Sequence, residues 1–244
     1  MPPPRKRADV LLVERGLFES RARAQSAIEA GLVTANARPV LKASENIPAD
    51  AVLQAQPAHP FVSRGGVKLS GALERYPLEI EDHVCLDVGA STGGFTEVLL
   101  AGGASLVFSI DVGRNQLHPS LRGHPRIVSM EETDIRSFEG KRLPQRPDVV
   151  VIDVSFISLK AVLPVALSLA AAPMHLLALI KPQFEAARKH SRRGIIRDAE
   201  VRRQVCDDIA AFAASLGCRN IEVFPSPIAG GDGNLEFFIG ARRG

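Results

Sequence analysis

The chain has 244 residues, of which 45% are hydrophobic and 23% are charged, and this ordinary globular composition excludes a disordered, collagen-like or coiled-coil protein. Its net charge of +3 is too small to establish a nucleic-acid partner, so the placement of the charges matters more than their sum. The three cysteines lack the spacing of a disulfide framework or a zinc site, and the six histidines show no paired spacing with carboxylates, so we expect no metal site.

The first sixty residues predict a small, locally basic unit that ends at the proline-containing segment 54–60. Apolar residues around 10–13 and 22–28 recur at helical spacing, which predicts two short helices, the second capped by Ser20. Residues 32–40 are typical of two short strands around a turn. No apolar run long enough for a secretory signal follows the basic N-terminal tail, so we expect a cytoplasmic protein.

From residue 61 onward, short apolar runs alternate with helical stretches, which predicts an α/β unit with a mostly parallel, Rossmann-like sheet of seven strands and helices on both faces. The predicted strands cover residues 84–88, 106–110, 126–129, 149–154, 176–180, 221–224 and 235–240. The predicted helices cover residues 65–75, 94–102, 159–172 and 198–216. The connection 225–234 is too short for a crossover helix, so the last strand should run antiparallel at one edge.

Residues 161–180 carry no charged side chain over the length of a membrane span. Pro164, Pro173 and His175 argue against a transmembrane helix, and Pro173 divides the run into a helix and a buried strand. We therefore expect no stable membrane association.

The predicted strand 84–88 runs into a glycine-rich turn and then a helix, in the sequence LDVGASTGGF. Glycines in such a turn let a ligand approach the backbone, and cofactors bind at the strand ends of such sheets. The pattern matches neither GxGxxG nor a P-loop, and Asp87 would repel a pyrophosphate but attract a cation such as an adenosyl-sulfonium or its amino group. Asp111 follows the next strand, where an acid accepts hydrogen bonds from a ribose diol. The alternative is a tight turn with Asp111 as a cap. The cofactor-binding candidates here are Asp87, Gly89, Ser91, Gly93, Gly94, Phe95 and Asp111.

This half of the chain resembles the class I S-adenosylmethionine-dependent methyltransferases, which place an acid and a glycine-rich turn after the first strand and an acid after the second. The resemblance implies S-adenosylmethionine as the cofactor. It also implies that Asp134, after the third strand, meets the adenine, with a solvated loop acid as the alternative at that position.

Four more polar residues indicate the reaction. Asp153 and Lys181 each end an apolar run, so both should point into the ligand crevice, whereas local pattern does not place Lys68 or Glu236 there. Their contexts, SRGGVKL, VIDVSFIS, ALIKPQFE and GNLEFFIG, resemble the Lys-Asp-Lys-Glu tetrad of the FtsJ-type ribose 2′-O-methyltransferases. A ribose 2′-hydroxyl must lose its proton as it attacks a methyl group. We hypothesise that Lys181 deprotonates or orients that hydroxyl, with the other three catalytic residues holding its geometry and charge.

The N-terminal sequences RADVLL, SRARA and IEAGLVTAN are similar to the S4 RNA-binding domain, with Ala37 where that family usually carries glycine. The resemblance implies contacts to RNA phosphates, and a solvated basic face is the alternative. In the second unit Arg64 and the basic cluster at 188–193 are further candidates for the RNA backbone, with a solvated loop as the alternative for the cluster. The RNA-binding candidates are Arg5, Arg7, Arg21, Arg23, Lys42, Arg64, Arg188, Lys189, Arg192 and Arg193.

An S4-like unit (residues 1–60, with its folded part from residue 5) joined to an FtsJ-like methyltransferase (residues 61–244) resembles the TlyA family, described both as hemolysins and as rRNA methyltransferases. The resemblance implies 2′-O-methylation of cytidine in 16S or 23S rRNA, or both, within ribosomal subunits. Three alternatives come from other classes: a membrane-active lysin, a nicotinamide-dependent oxidoreductase, and a non-catalytic RNA-binding protein. The sequence favours none of them, since it lacks a membrane-spanning pattern and a GxGxxG fingerprint, and it has candidate residues at all four tetrad positions.

Overall fold

The computed structural model describes residues 3–140, 143–187, 190 and 194–244, and the chain divides into two compact units, Met1–Pro60 and Phe61–Gly244. The first unit contains β1 (Arg5–Arg7), α1 (Ala8–Glu14), α2 (Arg21–Glu29), β2 (Val33–Ala35), β3 (Arg38–Pro39), β4 (Asn46–Pro48) and β5 (Leu53–Ala55).

Both predicted helices are present in the first unit, and Ser20 caps α2 by accepting a hydrogen bond from the backbone N–H of Arg23. The sequence missed β1, β4 and β5, because strands of three residues are too short to show a period. β1 pairs with β4, so residues 5–7 are part of the folded unit.

The hairpin between β2 and β3 turns at Asn36 and Ala37, whose φ angles are 51° and 61°. Two consecutive left-handed residues form the turn that matches the twist of a two-residue hairpin, and glycine is preferred at its second position. The hairpin is therefore retained although Ala37 occupies a position that strains an alanine backbone.

The second unit contains a seven-stranded sheet with the order β11-β12-β10-β9-β6-β7-β8. Its strands are β6 (Val84–Val88), β7 (Leu106–Ile110), β8 (Ile127–Met130), β9 (Val149–Ile152), β10 (Met174–Ile180), β11 (Arg219–Pro225) and β12 (Phe237–Arg243). Its helices are α3 (Arg64–Arg75), α4 (Gly94–Ala101), α5 (Leu159–Leu169), α6 (Pro182–Glu185) and α7 (Ala199–Ser215), with a 3₁₀ turn at Ile135–Ser137.

Strand β12 runs antiparallel to both of its neighbours, β10 and β11, which confirms the predicted sheet. It begins at Phe237, two residues later than the predicted start at residue 235, so Glu236 precedes the last strand instead of lying within it. In the register, Phe237 pairs with Ile180, the last residue of β10. The beginning of β12 therefore lies at the edge where the parallel strands end.

Both faces of the sheet are covered, as the near-continuous apolar strands predict. Alternate residues of β9 divide between two buried clusters, Val150 and Ile152 packing with α5 and α7, and Val149 and Val151 with α3 and α4. The uncharged run 161–180 is divided between α5 and β10. Over the residues that the structure describes, no helix combines the length and apolarity needed to cross a membrane.

Candidate functional site

The polar candidates of the second unit collect at the carboxyl edge of the sheet. Asp87 lies in β6, Asp153 directly follows β9, and Lys181 directly follows β10. Glu236 reaches the same edge because β12 runs in the opposite direction and Glu236 precedes it. Lys68 comes from the second turn of α3.

The four tetrad residues form two ion pairs, of which Lys68–Glu236 is buried and Lys181–Asp153 is partly buried. Lys68 Nζ lies 2.6 Å from Glu236 Oε2, and Lys181 Nζ lies 2.6 Å from Asp153 Oδ1. Lys68, Lys181 and Glu236 are all buried, and charges are almost never buried without a partner. The residues that the sequence placed by resemblance are thus brought into one site as two acid–base pairs.

Two residues that the sequence analysis missed connect these pairs to their surroundings. Lys181 Nζ donates a hydrogen bond of 2.8 Å to Ser155 Oγ, and Gln183 Nε2 lies 3.4 Å from Glu236 Oε1. Gln183 stands two residues after Lys181, so it ties the Lys181 segment to the other ion pair. Both residues stand within two positions of a tetrad residue in the sequence. That proximity alone does not show whether their side chains point toward the site.

Arg64, a candidate for RNA contact, is half-buried at the start of α3. Its Nη2 donates a hydrogen bond of 2.5 Å to the backbone carbonyl of Ala229, in the connection that leads to Glu236. In the same connection, a Cβ on Gly230 would lie 2.5 Å from Glu236 Oε1. Arg64 and Gly230 therefore hold the backbone close around the Glu236 carboxylate.

A cavity of about 520 Å³ opens beside the Lys181–Asp153 pair. Its lining includes Gly89, Ser91, Asp111, Thr133, Asp134, Arg136, Asp153, Ser155 and Phe156. The backbone N–H groups of Ser91 and Gly113 donate hydrogen bonds to the Asp111 carboxylate at 2.8 and 2.7 Å. Asp111 thereby holds the glycine-rich turn against the end of β7.

Asp134, the candidate adenine neighbour, also lines the cavity. Its carboxylate accepts hydrogen bonds from the side chain and backbone N–H of Arg136, and the guanidinium holds the pKa of Asp134 below its usual range. Asp134 caps the 3₁₀ turn as well. The carboxylate thus presents to the cavity as part of an ion pair with Arg136.

Asp87 is fully buried behind the glycine-rich turn. One carboxylate oxygen accepts a 2.6 Å hydrogen bond from Thr96 Oγ1, which lies 2.8 Å from Ser109 Oγ, while the other oxygen has no hydrogen-bond partner. Burial, reinforced by the negative charges of Asp153 and Asp111, raises the pKa of Asp87 to about 7. A cation bound nearby would favour its charged form.

The glycine-rich turn packs closely against the neighbouring backbone. Gly89 has a φ of 84°, and a Cβ there would lie 2.5 Å from the backbone oxygen of Asp153, so only glycine lets the ends of β6 and β9 approach this closely. Gly93 is also left-handed, and Gly94 packs against Gly66 of α3. Phe95 is buried in the core and stacks on Phe238, and it is not among the residues that line the cavity, so its contact with a cofactor stays a prediction.

Phe156 is an exposed aromatic residue at the cavity that the sequence did not predict as part of the site. Its side chain is 90% exposed at the cavity, its φ is 64°, and its ring centroid lies 5.0 Å from that of Phe184. An exposed phenylalanine with a left-handed backbone is unfavourable twice over, in solvation and in conformation. Such residues cluster at functional sites.

The basic candidates of the first unit are placed as follows. Arg7 and Arg21 both contact the carboxylate of Asp9, and Arg5 Nη2 donates to the backbone carbonyl of Asn46. Arg23 is half-buried and Lys42 is exposed. Of the second cluster, Arg188, Lys189, Arg192 and Arg193 lie outside the described residues. Within the described ranges, no group of three or more His, Cys, Asp or Glu residues could hold a metal ion.

Comparisons with known proteins relate both units to families. Residues 61–243 match the family model of the FtsJ-like methyltransferases, and residues 6–53 match that of the S4 domain. The 16S/23S rRNA (cytidine-2′-O)-methyltransferase TlyA of Mycobacterium tuberculosis is 40% identical over 241 residues, covering 98% of this chain and 90% of the relative. Hemolysin A of Brachyspira hyodysenteriae is 36% identical over 233 residues, covering 95% of this chain and 97% of the relative. A solved structure from Streptococcus thermophilus is 40% identical, with a TM-score of 0.79, and covers 98% of this chain and 89% of its own.

Proposed function

Since the chain belongs to the FtsJ-like methyltransferases and carries an S4 domain, we propose that it is an S-adenosylmethionine-dependent rRNA methyltransferase that modifies the ribose 2′-oxygen of cytidine in 16S rRNA, 23S rRNA or both. The observation that carries this proposal is the presence of two ion pairs, Lys181–Asp153 and Lys68–Glu236, beside a cavity of cofactor size. A ribosomal substrate implies a cytoplasmic site of action.

The cavity fits S-adenosylmethionine in size and in polar groups. Its volume of about 520 Å³ falls in the range of small-molecule sites. Asp111 stands at the strand end where an acid accepts hydrogen bonds from ribose hydroxyls. The buried Asp87 oxygen without a partner supplies negative potential suited to a cationic ligand. When bound, S-adenosylmethionine supplies a methyl group on a positively charged sulfur.

Lys181 is placed to handle the proton of the ribose hydroxyl. Nζ is placed to take the 2′ proton as the oxygen becomes a nucleophile, and Asp153, whose Oδ1 lies 2.6 Å from Nζ, stabilises the ammonium that results. The hydrogen bond to Ser155 Oγ fixes a second direction at Nζ and leaves the remaining direction for the substrate oxygen. Positioning of this kind accounts for a large part of catalysis in bimolecular reactions.

Lys68 and Glu236 complete the site as a second, more deeply buried pair. Glu236 Oε2 lies 2.6 Å from Lys68 Nζ and neutralises its charge, so this pair adds no net charge to the site. Breaking a buried pair leaves an uncompensated charge, which costs about 3–5 kcal/mol. This pair therefore holds the wall of the site rigidly where the ribose must dock.

Recognition of RNA rests on phosphate contacts and shape. The chain has no tryptophan and a single tyrosine, so we expect no extended stacking surface for single strands. Phe156 at the cavity offers one aromatic face, enough to stack on one base that is turned out of its helix. The basic side chains of the S4 unit supply phosphate contacts.

The test is transfer of a labelled methyl group from S-adenosylmethionine to purified 30S and 50S subunits by the wild type, Lys181→Met and Lys160→Met. Lys160 is an exposed lysine of α5 and serves as the matched control. We expect alkali-resistant 2′-O-methylated dinucleotides with wild type and control, and a loss of at least about 10²-fold for Lys181→Met, as for removal of a general base. Full activity of Lys181→Met would refute the role of Lys181, and label on a base instead of a ribose would refute the reaction.

A further inference from the structure

Asp9 is a buried carboxylate of the S4 unit to which the sequence analysis gave no role. It lies in the first turn of α1 and is fully shielded from solvent. Its oxygens accept hydrogen bonds from the side chains of Arg7, Arg21 and Gln25, at distances between 2.8 and 3.1 Å. The guanidinium of Arg7 holds the pKa of Asp9 well below its usual range, so Asp9 is charged at neutral pH.

Both arginines present the same edge to Asp9. Arg7 uses Nε and Nη2, one on each carboxylate oxygen, and Arg21 uses Nε and Nη2 on Oδ2. The Nη1 group of each guanidinium is left over, and the two side chains are 44% and 55% exposed. One carboxylate therefore fixes two planar, solvent-facing guanidinium groups side by side, with a net charge of +1 for the three side chains.

We infer that Asp9 is a positioning residue for RNA binding, which holds Arg7 and Arg21 in place to contact RNA phosphates. The inference rests on the proposed function, because it assigns how the S4 unit engages the rRNA substrate. Guanidinium groups bind phosphate through a rigid fork of N–H donors, so orientation matters as much as charge. Asp9 fixes that orientation before RNA arrives, which avoids ordering two long side chains on binding.

A positioning role and a purely electrostatic effect of Asp9 predict opposite changes in RNA affinity for Asp9→Asn. The substitution removes a negative charge next to two arginines, so an electrostatic effect alone strengthens binding to a polyanion. Positioning predicts weaker binding, by roughly 5- to 50-fold, since two side chains lose their fixed orientation. Glu29→Gln, on the exposed face of α2 beyond the Asp9 contacts, removes the same charge and serves as the control.

The experiment measures binding of the full-length protein to purified 30S and 50S subunits over a range of salt concentrations, together with KM and kcat for methyl transfer. We expect Asp9→Asn to weaken binding and raise KM much more than it lowers kcat, and Glu29→Gln to bind as the wild type or more tightly. In an Arg7→Ala/Arg21→Ala background, Asp9→Asn should cause no further loss, because it acts through those arginines. A further loss there, or tighter binding of Asp9→Asn alone, would overturn the inference.

A second variant covers the case in which Asp9→Asn unfolds the S4 unit. Arg7→Lys/Arg21→Lys keeps both charges and the Asp9 carboxylate but removes the planar forks, and we expect a similar loss of affinity. Arg38→Lys, at an exposed arginine of β3, is its control. Equal binding by Arg7→Lys/Arg21→Lys and wild type would contradict the inference. Wild-type protein that binds neither subunit would instead refute the proposed function.

Discussion

Replacing Asp87 by Asn removes a buried carboxylate whose charged form is unfavourable in the folded protein. Burial raises its pKa from 3.8 to about 7, a shift of about three units. At about 1.4 kcal/mol per unit, ionisation of Asp87 costs the wild type about 4 kcal/mol of unfolding free energy above pH 7. Asn is uncharged and avoids that cost. Its side-chain NH₂ group, however, would take the place of the Asp87 oxygen that has no hydrogen-bond partner, and a buried, unpaired donor costs about 1–3 kcal/mol.

The sign of the effect depends on pH. A carboxyl group with a raised pKa contributes its full stability below the unfolded pKa of 3.8 and loses that contribution as the pH rises toward 7. Asp87→Asn should therefore be equal to the wild type or less stable near pH 4. Near pH 8 we expect it to be more stable, by about 1–3 kcal/mol.

The assay is urea unfolding at several pH values between 4 and 8, in parallel with calorimetric titration of S-adenosylmethionine at pH 7.5. Glu97→Gln is unsuitable as a control because Glu97 accepts a hydrogen bond from the backbone of Val62, whereas Asp207→Asn, on the exposed face of α7, is suitable. Because the negative charge favours a cationic ligand, Asp87→Asn should bind the cofactor more weakly while being the more stable protein at this pH. In the wild type, cofactor binding should release protons near pH 7, seen as a dependence of the binding heat on the buffer.

A stability difference that stays constant from pH 4 to pH 8 would refute the raised pKa of Asp87. If the stability difference follows the expected pH course while cofactor affinity is unchanged, the raised pKa is right and the role of Asp87 toward the cofactor is wrong. The two readouts thus separate the electrostatic argument from the functional one.

Three further substitutions test single contacts. Ser155→Ala removes the hydroxyl that accepts a hydrogen bond from Lys181 Nζ, and it should lower kcat by roughly 10-fold with little change in KM for subunits. Ser155→Thr should restore the rate. An unchanged kcat of Ser155→Ala in methyl transfer would exclude this positioning role. Phe156→Ala should reduce kcat/KM on subunits by roughly 5- to 100-fold, the value of one stacked base, without lowering the melting temperature, and Phe156→Tyr should retain activity. Ala37→Gly relieves a left-handed alanine and should stabilise the S4 unit by roughly 0.5–1 kcal/mol, so a lower urea midpoint would contradict the strain argument.

The sheet and half of the site could be predicted because both follow from local pattern. Apolar runs predict the strands, and because parallel strands end at one edge of a sheet, the sequence alone predicts that Asp153 and Lys181 lie close together. The structure places these two side chains 2.6 Å apart. The rule holds because burial on both faces makes parallel strands strongly apolar, so that a charged residue at their end stands out.

The remaining parts of the site depend on contacts far apart in sequence. Lys68 and Glu236 are 168 residues apart, and each on its own looks like a surface charge. Asp9 likewise looks like an ordinary acid until Arg21 folds back onto it from α2. Phe156 is distinguished by its positive φ angle, and the amino-acid sequence does not show backbone angles.

The reversed direction of β12 is what assembles the complete tetrad. In the sheet, β10 lies between β9 and β12, so Lys181 at the end of β10 lies between Asp153 after β9 and Glu236 before β12. If β12 ran parallel to β10, the residue before it would lie at the opposite edge, about 20 Å away for a strand of seven residues. The short connection that makes β12 antiparallel is therefore a condition of the proposed chemistry, because it brings the Glu236–Lys68 pair to the edge where the cavity lined by Asp153 opens.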